Sequence, residues 1–79
     1  MYLHIGKDYI INTHNLIGIF DIDSLKKTKS YESVLKKIDD IKDISEDKKK
    51  TLIITKEDNK FKAYITNILS TTIASRNNL

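Results

Sequence analysis

MYLHIGKDYIINTHNLIGIF, residues 1–20, decides how this chain is read, because strand-forming residues begin at Tyr2 and the only two glycines, Gly6 and Gly18, both fall inside it. Leu3 and Ile5 alternate with Tyr2 and His4, the period-two pattern of a strand with one buried face. By that alternation His4 is expected to be a half-buried strand residue and not a ligand. Gly6-Lys7-Asp8 reads as a turn, Tyr9 to Asn12 as a second strand, Thr13-His14-Asn15 as a polar turn and Leu16 to Ile22 as a third strand. The first part is therefore predicted to be an antiparallel meander. Gly18 lies in the middle of the third run, where glycine marks a bulge or the close approach of another backbone.

From Ser30 the period changes. Tyr31, Val34, Leu35, Ile38 and Ile41 follow helical spacing, with Glu32, Lys36, Lys37, Asp39 and Asp40 on the other side, so the spacing predicts an amphipathic helix. Ser30 is its expected N-cap, and Glu32 suits the positive end of its dipole. The end falls near Asp40 or at Ile44. Lys26, Lys27 and Lys29 precede it in what reads as a solvated connection. Ser45 to Lys50 is a polar loop, and Thr51 to Thr55 is an unbroken run suited to a central strand buried on both faces. Lys56 to Lys60, with Asp58-Asn59, reads as a hairpin turn, and Phe61, Ala63 and Ile65 alternate in the returning strand. Ser70 begins a short helix over Thr71 to Arg76, with Asn77 as its stop. The fold class expected is α+β: a small antiparallel sheet, made of the N-terminal meander and the C-terminal hairpin, with one amphipathic helix and a short C-terminal helix.

At 79 residues the chain has room for one domain, spanning 1–79, and a core this small usually needs a supplement. There is no cysteine, so disulfides and thiolate metal sites are excluded, and two histidines without a carboxylate cluster make a poor metal set. Oligomerisation is what remains. No apolar run approaches the ~20 residues of a membrane span. The early start of the first strand leaves no space for a targeting segment, and the expected compartment is the cytoplasm.

The net charge of +3 is unevenly spread. Lys7 stands against Asp8, Asp21 and Asp23 in the first 25 residues, whereas the surplus lies at Lys26, Lys27 and Lys29, at Lys48-Lys49-Lys50, at Lys56, Lys60 and Lys62, and at Arg76. Thirteen of the fourteen basic residues are lysine, a point charge where arginine offers a planar fork, so any nucleic-acid binding is expected to be directed at the backbone. No residue constellation for catalysis is present: of the carboxylate pairs Asp39-Asp40 and Glu46-Asp47, the first falls on the expected helix, where adjacent residues point to different faces, so it reads as a solvated edge, and phosphate loops and nucleophile elbows are missing. An enzyme is not expected, nor is a cofactor. Lys48-Lys49-Lys50 has two readings, a solvated guard for the strand that follows or a phosphate-binding patch.

Several stretches resemble the RemA/RemB-type regulators of the bacterial extracellular matrix: Ile5-Gly6, the Ile10 to Phe20 run, Thr51 to Thr55, and Ser70 to Arg76. The Tyr-Leu-His-Ile opening and Gly18-Ile19-Phe20 are closer to the RemB (YaaB-like) branch. The helix after Ser30 matches only in character. The resemblance implies a DNA-binding transcriptional regulator of matrix and biofilm genes, assembled into a closed homo-oligomeric ring with basic residues around its rim. Carried over, the DNA-contacting positions are His14 and Asn15 in the polar turn, Lys48, Lys49 and Lys50 ahead of the apolar strand, and Arg76 at the end of the closing helix. Gly18 is assigned to the oligomer interface.

In place of the family's arginine in the turn stand His14 and Asn15, and the basic loop is lysine, which weakens one contact per subunit. A ring offsets this by repetition. The partners expected are therefore other copies of the chain, DNA through its backbone, and a paralogous regulator. The competing expectation is a scaffold or modulator protein of the same fold that acts through protein–protein contacts and leaves DNA alone.

Overall fold

The computed structural model describes residues 1–77. Six strands and three helices make an α+β fold of three layers. β5 (Thr51–Glu57) lies inside a four-stranded sheet because its first five residues are buried on both faces, and a strand of that kind needs a partner on each side and cover above and below. β6 (Lys60–Thr66) returns from it through Asp58 and Asn59, both at positive φ (51° and 65°), the backbone of the tight hairpin turn that Asp and Asn tolerate.

The other partner of β5 is not its neighbour in sequence. β1 (Tyr2–Gly6) and β2 (Tyr9–Asn12) pair only with each other, and β3 (Leu16–Asp21) leaves them to run antiparallel to β5, Leu16 opposite Thr55 and Asp21 opposite Thr51. The expected continuous meander is thus split into a two-stranded hairpin and a separate sheet. The reason is local and physical. Thr13–Asn15 closes into a 3₁₀ turn, capped by the Asn12 side chain, which accepts from the His14 N–H at 3.0 Å, and the Thr13 N–H donates back to Met1 O at 2.9 Å. That turn points the chain away from the hairpin, and β3, uncharged from Leu16 to Phe20, takes the place beside β5.

Two helices stand where the sequence predicted one. α1 (Ile22–Lys27) starts directly after β3, capped by the Asp21 carboxylate, which accepts from the Ser24 N–H at 3.0 Å. It occupies what was read as the end of a strand and a solvated connection. α2 (Tyr31–Lys36) begins as expected, but Ser30 makes no side-chain cap bond, and the helix stops well short of Asp40. The chain then enters β4 (Asp40–Asp43), parallel to β6. An open β6 edge outbids two more helical turns: the Asp39 N–H donates to Phe61 O at 3.0 Å and its carboxylate accepts from the Phe61 N–H at 2.8 Å, which pins the register. Because β3 and β4 run the same way at opposite edges, a crossover must join them, and α1 with α2 is that crossover.

The sheet order is β3-β5-β6-β4, with an apolar cluster on each face. On one side Leu52, Ile54, Ala63 and Ile65 pack under Ile22 and Tyr31 of α1 and α2. On the other, Ile53 meets Leu3, Ile5 and Ile11 of the hairpin, Ile44, and Ile73 of α3 (Ser70–Asn77). Residues 78–79, which decide whether Asn77 is the expected stop of α3, lie outside the described residues. No described helix is long and apolar enough to cross a membrane.

Candidate nucleic-acid interface

The loop carrying Lys48, Lys49 and Lys50 is anchored at both ends. At its start the Asp43 carboxylate accepts from the Ser45 hydroxyl and from the Ser45 N–H, the latter at 2.9 Å, and Lys49 Nζ lies 3.3 Å from the same carboxylate. At its close the Lys50 N–H donates to Thr66 O, and Lys50 O accepts from the Ile22 N–H, each at 3.0 Å. The Ser45 hydroxyl holds the Asp43 carboxyl below its ordinary pKa, helped by the Ser45 N–H and by Lys49, against a smaller upward push from burial. Lys48 and Lys49 stand exposed on this loop, and Lys50 is half-buried.

His14 and Asn15 lie in the 3₁₀ turn at the opposite end of β5, just past the Leu16–Thr55 pair, so the two groups are separated by roughly the 20 Å that the six residue steps from Lys50 to Lys56 span. His14 is exposed. Asn15 is committed to an acidic neighbour, its Nδ2 donating to Glu57 Oε1 at 3.3 Å, and Glu57 also pairs with Lys62 at 3.5 Å. Next to Asn15 is a polar pocket of about 60 Å³ lined by Asn12, Asn15, Thr55 and Glu57. The buried Thr55 hydroxyl has no partner among the described residues, and the pocket has room for a water that would satisfy it.

Arg76 is elsewhere again: its Nη1 donates to His4 O at 3.2 Å, tying α3 to β1. His4 is exposed and not half-buried as expected, because strand alternation turns it away from the face that buries Leu3 and Ile5, and its ring Nε2 meets Lys7 O at 2.6 Å on the outer side. Among the described residues no group of three His, Cys, Asp or Glu side chains is placed to hold a metal. Within one copy, then, the six candidate DNA contacts occupy three places.

What the fold does bring together was only half visible in the sequence. Lys26 and Lys29, part of the surplus positive charge, share a cavity with Tyr31, whose phenol also feels the Lys49 ammonium. Lys26 Nζ sits 5.4 Å from the Tyr31 ring centroid, a cation–π distance, and a shallow cavity of about 360 Å³ is lined by Lys26, Lys29, Tyr31 and Glu32. Burial pushes the Tyr31 phenol up, and the nearby Lys49 ammonium pulls it back. Two lysine runs flanking one buried tyrosine were the available signal.

Gly18 is at a bulge, as its place in the strand predicted: the register slips between Leu16 and Gly18. A Cβ there would lie 2.6 Å from the Phe20 ring, which covers the glycine, so this chain has its own reason for a missing side chain. Ile17 (55% exposed) and Phe20 (36%) stay in solvent along β3, and Ile17 joins Val34, Ile38, Ile54 and Phe61 in an apolar groove of about 200 Å³. The chain matches no protein-family model, no curated protein and no solved structure.

Proposed function

We propose that this protein is a cytoplasmic transcriptional regulator of extracellular-matrix genes that binds the DNA backbone as a closed homo-oligomer, in keeping with its sequence resemblance to the RemA/RemB-type regulators. The observation that supports this most is the anchored Lys48–Lys50 loop: the Asp43 carboxylate holds its start and backbone bonds hold its close, while Lys48 and Lys49 stay exposed, Lys49 shared with Asp43, which is how a phosphate contact is held at low entropic cost. The free, uncharged edge of β3 supports self-association.

The scaffold reading has an observation of its own. Asn15 is turned to Glu57 and the candidate contacts lie at opposite ends of β5, so a single copy offers no continuous groove for DNA. Assembly is what can join such patches between copies. The test combines light scattering with a DNA-shift titration at about 50 and 200 mM salt, the range over which backbone contacts are lost. The expected result is a mass above a dimer, binding that falls steeply with salt, and weakening by Lys48→Ala with Lys49→Ala. No shift at low salt from a protein of oligomeric mass would replace the regulator by the scaffold. A clean monomer would remove both.

A further inference from the structure

Lys29 stands at a position that favours glycine. It follows α1 at φ +60°, where the Lys29 N–H donates to Lys26 O at 3.0 Å and the Ser30 N–H to Leu25 O at 2.8 Å, the paired bonds of a Schellman helix end. A residue with a Cβ is strained in this left-handed conformation. The cost is accepted by a lysine whose side chain lines the cavity beside Tyr31, together with Lys26.

From these observations we infer that the corner between α1 and α2, formed by Lys26, Lys29 and Tyr31, is a second phosphodiester site, contacting the nucleic-acid backbone next to the Lys48–Lys50 loop. The inference rests on the DNA-binding reading above and adds residues to it that the resemblance does not assign. The charges select the ligand. Lys49 is shared with Asp43 at 3.3 Å, and Glu32 stands on the cavity wall in the first turn of α2. On the cavity itself Lys26 and Lys29 against Glu32 leave one net positive charge, the Lys49–Asp43 pair being neutral, and this is the complement of a monoanionic phosphodiester and a poor match for free dianionic phosphate. Tyr31 adds a flat ring under Lys26, which steadies that ammonium, and a phenol O–H, which is a donor at neutral pH.

The bland role of these lysines is to offset the negative end of the α1 dipole. Lys29→Gly separates the two, because glycine relieves the backbone while deleting the charge. With the full-length chain and a labelled DNA duplex, Lys29→Gly is expected to keep or raise the melting temperature. It is also expected to weaken binding about threefold at low salt and to lower the salt slope by about one unit. Lys29→Asn, which also tolerates the left-handed backbone, should repeat the loss, and Lys26→Gln should add to it. Inorganic phosphate should compete no better than chloride at equal ionic strength.

If the wild type binds and Lys48→Ala with Lys49→Ala abolishes binding, while Lys29→Gly, Lys29→Asn and Lys26→Gln all bind normally, the corner is a helix-end charge cluster and the inference falls with the regulator reading intact. Specific competition by inorganic phosphate overturns the phosphodiester assignment. A wild type that binds no DNA removes both readings.

Discussion

The two edges of the central sheet are built to opposite rules. β4 carries Asp40, Lys42 and Asp43 on an exposed four-residue strand, with one apolar side chain, Ile41. β3 is longer, uncharged from Leu16 to Phe20, and keeps Ile17 and Phe20 in solvent beside an apolar groove. Charge on a short edge blocks the approach of another strand, because pairing would strip water from groups with no counter-charge to meet. The β4 edge is closed in this way and the β3 edge is left open. The molecule is therefore polar in the assembly sense, with one face suited to further pairing and one that resists it.

The largest expected effect is on that asymmetry. Ile17→Lys places a charge on the open edge and should reduce the proposed oligomer to a species of lower mass in light scattering, whereas Ile41→Lys on the closed edge should leave the mass unchanged. Equal effects from both, or none from either, would mean that β3 plays no special part in assembly.

Gly18→Val probes the same edge from within. The new side chain must displace the Phe20 ring, so a loss of about 1–3 kcal/mol in denaturant unfolding is expected from overpacking. Because Phe20 is partly exposed its ring has room to move, and Phe20→Ala introduced with Gly18→Val should recover most of the loss. Failure to recover it would place the requirement for glycine in the bulged backbone instead of the ring.

The smallest effect lies on the closed edge, at the root of the Lys48–Lys50 loop. Asp43 has a lowered pKa, held down first by the Ser45 hydroxyl, so its contribution is present above the ordinary aspartate pKa and is lost as pH falls through the depressed folded value. Wild type should therefore lose slightly more stability than Asp43→Asn on acidification below about pH 4. Parallel curves for the two proteins would show that the loop is held by its backbone bonds alone.

Much of this was legible from residue pattern. Thr51 to Thr55 could only be a strand with cover on both sides, the Asp58-Asn59 pair marked its hairpin, the bulge at Gly18 followed from a glycine inside an apolar strand, and Tyr31, Val34 and Leu35 marked the face of α2. These are local facts, set by side-chain alternation, turn conformation and helical period. The candidate site was legible only as a list. Charge along a chain does not say which lysines meet, and the convergence of Lys26 and Lys29 on Tyr31 depends on α1 turning into α2 at the corner that holds them.

Sequence alone determined the α+β class, the buried central strand and the uncharged character of β3, because each follows from residues within a few positions of one another. Tertiary structure alone decided that β3 pairs with β5 and not β2, that residues 40–43 leave the helical period for the edge of β6, and that the six candidate contacts fall in three places. In each case the deciding partner is far away in sequence. A strand takes the edge where its backbone groups find mates and its apolar side chains find cover, and that free energy exceeds the few tenths of a kcal/mol per residue, about the size of helix propensities, by which local preference resists.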